Sequence, residues 1–533
     1  MSGTRAVGRG WSRLGGGVPL AAVAGLASAC VSPSTPPAAP PAPAAAAQAL
    51  PAAPANALSL RQAIDSMVDA PQFRNAHWGV LIVDPERGDT LYSRNAGKLF
   101  LPASNQKLVT AATALELLGA DYRYRTLFAA RAVPRDGVVE GDLVVVGRGD
   151  PTVSDHMRGD AMLPLREVAD SLAARGVRRI RGRVVRGGDA FPDAPLGFGW
   201  AWDDLPAPYS AGVDELTFNE GFTRVLLRGA TAPGTPPAAT TAPLAGYPAL
   251  DVTAVTAPPG RGGPSAPSPD ATWGPPRTPR GVLTPTRVSV TGVVAPGDTT
   301  TVTASYPDPA AAYLLAVVEA LAARGIEVAR GADPEARVPA ESIPALVTLA
   351  SLESPPLREI LPALQKPSQN QIAEALFKTL GLERTGVGSA DSGRRVVETQ
   401  LAAWGAAPDG FAVRDGSGLS RHDYLTPETI VRVLAAMQRH PSFAAYYEAL
   451  PVAGVDGTIA SRMRGTPAQG NVRAKTGYVD RARSLSGYVT TADGRLLLFS
   501  FLCNNWTTPV RAVERVQDEI AIRLAASRLA DLR

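Results

Sequence analysis

The sequence predicts an α+β fold: an antiparallel sheet built from both ends of the chain, flanked by helices and carrying a large mixed α/β and β-rich insertion. Three observations point there. An early hairpin pattern, Trp78 to Asp84 and Thr90 to Ser93 around a Pro85-Glu86-Arg87-Gly88-Asp89 turn, has a late counterpart. That counterpart runs from Ser484 to Thr490 and Arg495 to Cys503 around Thr491-Ala492-Asp493-Gly494, and an amphipathic helix from Val510 to Leu529 closes it. Between the two ends the chain changes character, with short strands and Pro/Gly-rich stretches replacing long helical patterns.

Taken in order, residues 1–29 read as an export signal. Arg5, Arg9 and Arg13 form a basic start, and Val18 to Ala29 is an apolar run too short to span a bilayer as a mature helix. The run ends at Ala27-Ser28-Ala29-Cys30, which reads as a lipoprotein processing site with Cys30 as the lipid-bearing residue; plain secretory cleavage after Ala29 is the alternative. Residues 30–56 form a Pro/Ala-rich tether. Residues 57–125 hold a helix over Leu60 to Val68, the first hairpin and a helix from Leu108. Residues 126–348 read as inserted domains, with a nested third domain around 222–305. Strands are expected at Asp142 to Val146, Ile180 to Val185, Thr223 to Leu227, Arg287 to Val294 and Thr300 to Ser305, with helices at Leu165 to Arg175 and Ala310 to Arg324. Residues 230–285 read as a long irregular loop with at most an ordered rim, rich in Pro, Gly, Ala and Thr and densest from Ala257 to Arg280. Residues 349–533 return to helices at Leu357 to Leu364, Gln371 to Leu380, Gly393 to Trp404 and Pro427 to Gln438 before the closing hairpin.

Composition excludes several functions. The net charge of +4 comes without a basic run interleaved with aromatics, so nucleic acid is not an expected partner. Two cysteines and four scattered histidines leave no disulfide framework and no metal-ligand spacing, so neither a metal nor another cofactor is expected. No G-x-S-x-G elbow is present, which argues against a serine hydrolase with a histidine base.

Lysine usage is the informative feature. Of 53 Lys+Arg residues only five are lysine: Lys98, Lys107, Lys366, Lys378 and Lys475. Arginine does not shed its proton, so a site that needs a reversible base must keep lysine. Lys107 lies three residues after Ser104, at the start of a helical pattern (Leu108, Ala111, Ala112, Leu115, Leu118). Residues i and i+3 share a helix face, so the amine can reach the hydroxyl and take its proton. Taken alone, Ser104 is better read as a helix N-cap.

Two further motifs bear on that choice. Ser368-Gln369-Asn370 opens a helix, and Lys475-Thr476-Gly477 precedes the closing hairpin as a strand edge without a side chain at Gly477. The order S-x-x-K, S-x-N, K-T-G marks the penicilloyl-serine transferases, that is, penicillin-binding proteins and serine β-lactamases. Ser104 and Ser368 lie 264 positions apart, far more than a compact β-lactamase needs, and the insertion accounts for the excess. Along residues 58–530 the chain resembles the D-alanyl-D-alanine carboxypeptidase/endopeptidase family, the class C low-molecular-mass penicillin-binding proteins. The supporting stretches are Pro102 to Lys107, Gly141-Asp142-Leu143, Gly149-Asp150-Pro151-Thr152, Gly199 to Asp204, Ser368 to Gly381, Asp415 to Arg421 and Ala474 to Gly477.

The resemblance implies a β-lactamase-like catalytic domain, peptidoglycan stem peptides as substrate and β-lactams as covalent inhibitors. It implies that Ser104 forms an acyl-enzyme, Lys107 accepts its proton, and Ser368 and Lys475 relay a proton to the leaving amine. Asn370 would hold a substrate amide and Lys107. Thr476, beside Gly477 and helped by the Lys475 charge, would bind the terminal carboxylate. Backbone N–H groups of Ser104 and Tyr478 would form the oxyanion hole. Position 478 departs from the family, where serine or threonine is usual. Asp204 and Arg421, with Tyr209 as a packing wall, would clasp the free end of a diaminopimelate side chain. A serine β-lactamase and a non-catalytic wall-binding lipoprotein are the alternative functions; no glutamate base for deacylation is evident and no motif is broken. The remaining conspicuous residues have plainer readings. Cys503 reads as a core residue, Trp200 and Trp202 as domain packing, His422 as loop surface, and Lys98 and Lys378 as surface charges.

Overall fold

The computed structural model describes residues 58–257, 270–273 and 287–533. The export signal, Cys30, the tether and most of the Pro-rich stretch from Ala257 to Arg280 lie outside them.

The sheet from the two chain ends has five strands in the order Asp89–Arg94, His77–Asp84, Leu496–Asn504, Ala482–Thr490, Arg473–Val479. Every neighbouring pair is antiparallel. The central strand Leu496–Asn504 is buried along nearly its whole length because both faces of the sheet are covered. Its alternation sorts the two cores. Leu497, Phe499, Phe501 and Cys503 join Val80, Ile82 and Leu485 against the terminal helices Leu60–Val68 and Val510–Ala526. Leu498 and Leu502 join Leu81 and Tyr488 on the other face, under a layer formed by Gln106–Leu117, Leu357–Gln365, Asn370–Thr385 and Pro427–Arg439. Local signals set these helices. Ser59 and Gln62 form a reciprocal capping box, and Thr426 Oγ1 accepts the Thr429 N–H at 3.0 Å.

The strand Arg125–Ala130 leaves the helical layer and pairs with Val347–Glu353, which returns to it. Both belong to a second five-stranded sheet, Ala332–Val338, Val184–Gly187, Leu143–Val146, Arg125–Ala130, Val347–Glu353, packed against helices Leu163–Ala174 and Pro309–Ala322. Smaller sheets follow: Phe222–Arg228 lies between Ala238–Ala242 and Thr299–Ser305.

Several expectations need correction. Residues 230–257 are not an irregular loop: Ala238–Ala242, Ala249–Val252 and Val255–Thr256 are strands, and Asp270–Trp273 is another. These segments pair with neighbouring strands despite the surrounding proline and glycine. Ile180 to Val185 is not one strand. Arg179–Ile180 and Val184–Gly187 join different sheets, separated at Gly182, where a Cβ would fall 2.5 Å from the Gly141 carbonyl oxygen. Lys378 is buried rather than a surface charge, with Nζ 2.6 Å from Asp193 Oδ1. Trp202 is 83% exposed, so it is not domain packing.

Candidate active site

Ser104 sits in a single 3₁₀ turn, Ala103–Asn105, leading directly into the helix Gln106–Leu117. It is not the N-cap. Asn105 holds that position, and its amide instead donates to the Lys475 carbonyl at 2.8 Å, tying the turn to the Lys475–Gly477 strand. Ala103 has φ +47°, a strained value for a residue with a side chain, and Ser368 repeats the feature at φ +68°. Both strained residues therefore border the same site.

Lys107 is fully buried one turn into the helix. Its Nζ donates to Ser104 Oγ at 2.9 Å, Asn370 Oδ1 at 2.6 Å and the Ser417 carbonyl at 2.7 Å. Three acceptors use the full donor capacity of an ammonium, while burial disfavours the charge. Burial brings the Lys107 pKa down to about 7, with Asp415, Glu374 and Asp423 acting in the opposite direction. A lysine poised there can take a proton from a neighbouring hydroxyl near neutral pH.

Three acids in and beside the loop 414–423 were not given a role by the motifs. Asp415 accepts the backbone N–H groups of Gly418 at 2.6 Å and Ser420 at 2.7 Å. Glu374 accepts that of Ser417 at 2.8 Å, and Asp423 accepts that of Arg414 at 2.6 Å. Burial raises the carboxyl pKa values of Glu374 and Asp423. Glu374 lies four residues after Asn370 on one helix face, within the Ser368 to Gly381 stretch. Gly418, at φ +78°, lets the loop close on the turn: a Cβ there would fall 1.8 Å from the Ala103 carbonyl oxygen.

The strand Arg473–Val479 closes the site from the other side. A Cβ on Gly477 would lie 2.2 Å from Ser484 Oγ and 2.9 Å from the Ser104 nitrogen, so only glycine lets this edge approach the serine backbone. Lys475 is fully buried and donates to the Thr476 carbonyl at 3.0 Å. Burial holds its pKa well below the usual lysine range, with the Lys107 and Arg483 charges adding to the effect. No hydrogen bond joins the Ser368 hydroxyl to Lys475 among the described residues; Ser368 instead borders the open space beside Ser104.

That space is a cavity of 390 Å³ bordered by Ser104, Ser368, Asn370, Asp204, Tyr209 and Arg421, so the sequence-predicted residues of the insertion and of the Gly/Ser loop meet the serine. Tyr209 donates its hydroxyl to Asp204 Oδ1 at 2.5 Å, and its carbonyl accepts from Asn370 Nδ2 at 2.7 Å. Burial and then Asp204 push the Tyr209 hydroxyl up to about 12. A second cavity of 330 Å³ opens on the other side of Ser104, toward Thr476, Gly477 and Tyr478. Cys503 is buried and His422 is exposed.

A two-sided antiparallel sheet, a serine at a helix mouth and a buried lysine one turn along it define the β-lactamase-like class of serine acyl-transfer proteins. The model of the D-Ala-D-Ala carboxypeptidase 3 (S13) family matches residues 60–527. The chain belongs to this family, and as a member it is a serine-type D-Ala-D-Ala carboxypeptidase that binds penicillin. It is 39% identical over 485 residues to a D-alanyl-D-alanine carboxypeptidase of Actinomadura sp., covering 88% of this chain and 85% of the relative. It is 27% identical over 437 residues to D-alanyl-D-alanine carboxypeptidase DacB of Haemophilus influenzae, covering 78% and 82%. The crystal structure of penicillin-binding protein 4 from Haemophilus influenzae shares the fold, with a TM-score of 0.69 at 23% identity over 86% of this chain and 99% of that one.

Proposed function

We propose that Ser104 is the nucleophile of a DD-peptidase that cleaves the D-Ala-D-Ala bond of peptidoglycan stem peptides. The observation that carries this reading is the 2.9 Å contact from the buried Lys107 Nζ to Ser104 Oγ. As Oγ bonds to the carbonyl carbon of the penultimate D-alanine, its proton passes to neutral Lys107. The oxyanion that forms is held by the backbone N–H groups of Ser104 and Tyr478, each such donor contributing about 3 kcal/mol. The C–N bond then breaks and the leaving amine takes a proton by way of Lys475 and Ser368. Water attacks the ester with Lys107 and Ser368 serving again, and Ser104 recovers its proton. Asn370 holds Lys107 and a substrate amide.

The 390 Å³ cavity supports a second activity on the same site, cleavage of D-Ala-diaminopimelate crosslinks. Asp204 and Arg421 would take the ammonium and carboxylate at the free end of the diaminopimelate side chain, with Tyr209 as the wall. A β-lactamase reading finds less support. Glu374, a buried acid near Lys107, has its carboxylate on the Gly416 and Ser417 N–H groups and borders neither cavity.

The proposal extends to organisation. Residues 57–125 and 349–533 form the catalytic domain, and 126–348 its insertion, with a nested unit around 222–305. Residues 1–29 direct export to the periplasm or cell envelope, and Cys30 carries the lipid that tethers the enzyme to a membrane. The decisive experiment measures D-alanine release from a peptide ending in D-Ala-D-Ala. Release that disappears in Ser104→Ala supports the reading; release that persists in that variant refutes it.

A further inference from the structure

Glu374 is a buried acid that the roles above leave unused. It borders neither cavity beside Ser104, yet two hydrogen bonds joined through Ser417 connect it to Lys107.

The connection runs through two consecutive peptide units with the same arrangement. In the Gly416–Ser417 unit, the N–H donates to Glu374 Oε1 at 2.8 Å and to Asp415 Oδ1 at 3.1 Å, while the carbonyl accepts from Thr110 Oγ1 at 2.7 Å. In the Ser417–Gly418 unit, the N–H donates to Asp415 Oδ1 at 2.6 Å, and the carbonyl is the one that accepts from Lys107 Nζ at 2.7 Å. Both units turn their N–H to a carboxyl group and their carbonyl to the helix Gln106–Leu117, which carries Thr110 and Lys107. A peptide held on both edges cannot turn without stranding a buried polar group. Bonds in such a chain also strengthen one another.

The helix Asn370–Thr385 places Glu374 for this. Asn370 Oδ1 accepts from Lys107 Nζ at 2.6 Å, and one turn further along the same face Glu374 reaches the loop. Gly416 lets the loop lie against that helix, since a Cβ there would fall 2.7 Å from the Ala373 carbonyl oxygen. Glu374, Asp415 and Asp423 are the acids whose charge bears on Lys107, and Lys475 is the neighbouring cation. Yet the three acceptors of Lys107 Nζ are a hydroxyl, an amide oxygen and a backbone carbonyl. A direct ion pair would hold the amine charged. Acids set back behind a peptide fix its position and leave its proton free to move.

We propose that Glu374, with Thr110 opposite it, is a positioning residue for acylation: the two pin the Gly416–Ser417 peptide and so aim the adjoining Ser417 carbonyl that holds Lys107 against Ser104. The inference rests on the DD-peptidase reading above. It assigns Glu374 no proton transfer and no contact with substrate.

The test follows penicillin acylation of the full chain against pH for the wild type, Glu374→Gln, Glu374→Ala and Thr110→Val. Glu374→Gln keeps an acceptor for the Ser417 N–H and should acylate within about threefold of the wild type. Glu374→Ala removes it and should lower the limiting acylation rate constant by about tenfold or more, with noncovalent penicillin affinity unchanged. Its pH midpoint should also fall, because a loosened Ser417 carbonyl stabilises the Lys107 ammonium less and the charge of the acid is gone. Thr110→Val frees the other edge of the same peptide with little change of shape and should slow the same step by a smaller factor. It decides the matter where Glu374→Ala does not fold. An unchanged rate and midpoint in folded Glu374→Ala, or an unchanged rate in Thr110→Val where Glu374→Ala does not fold, overturns the inference and leaves the DD-peptidase reading standing. Glu374→Gln as slow as Glu374→Ala does the same. No acylation of the wild type overturns both.

Discussion

The indole of Trp200 donates to Asp415 Oδ2 at 3.0 Å, so a residue of the middle segment 126–348 braces the loop whose Ser417 carbonyl holds Lys107. That segment thus reaches Lys107 through two steps of hydrogen bonding. Trp200→Phe keeps most of the ring but removes the donor, leaving a buried carboxylate one partner short. The expected cost is about 1.5–3 kcal/mol in unfolding stability, read by urea denaturation, with slower penicillin acylation as the loop loosens. Wild-type stability together with a wild-type acylation rate would show that the brace is idle.

Acylation should depend on pH through Lys107. The base must be neutral to act, and its pKa lies at about 7. The rate constant should therefore rise with pH below about 7, close to tenfold per unit, and level off above it. Stopped-flow measurement of penicillin acylation from mildly acid to mildly alkaline pH checks this. A flat profile contradicts Lys107 as the base.

Lys107→Arg keeps a positive charge at the same place and can be expected to abolish acylation, because arginine does not give up its proton near neutrality. Fluorescent penicillin labelling of the folded variant reads the outcome directly. Labelling at the wild-type rate contradicts the assignment.

Gly477→Ala tests the closeness of strand and nucleophile. The new Cβ must displace Ser484 Oγ, 2.2 Å away, and press on the Ser104 nitrogen, 2.9 Å away. Misplacing the serine backbone by a fraction of an ångström should lower acylation by about 100-fold or more. Circular dichroism should remain that of the wild type.

The sequence made the proposed catalytic centre legible wherever chemistry is encoded locally. Ser104 and Lys107 are one helical turn apart, and the scarcity of lysine distinguished both Lys107 and Lys475 before any fold was known. The sheet was legible from its two hairpins, because alternation and turn residues are short-range signals. What escaped depends on long-range packing. Thr458 carries no motif and meets Thr476 only because its loop converges on that strand. The partners of Asp415 and Asp423, backbone N–H groups of their own loop, become visible only in the folded loop. Lys378 read as surface because its ion-pair partner Asp193 lies 185 positions away. The strands within 230–257 were hidden by proline and glycine, whose local preference is outweighed by pairing with neighbours such as Phe222–Arg228 and Arg287–Thr291.

The central claim is that Ser104 is the acylated residue. Intact-mass measurement of the penicillin-treated protein, followed by peptide mapping, tests it most directly. The account predicts a single penicilloyl adduct on the peptide containing Ser104, absent from folded Ser104→Ala. An adduct on another residue, or one retained by Ser104→Ala, would contradict it.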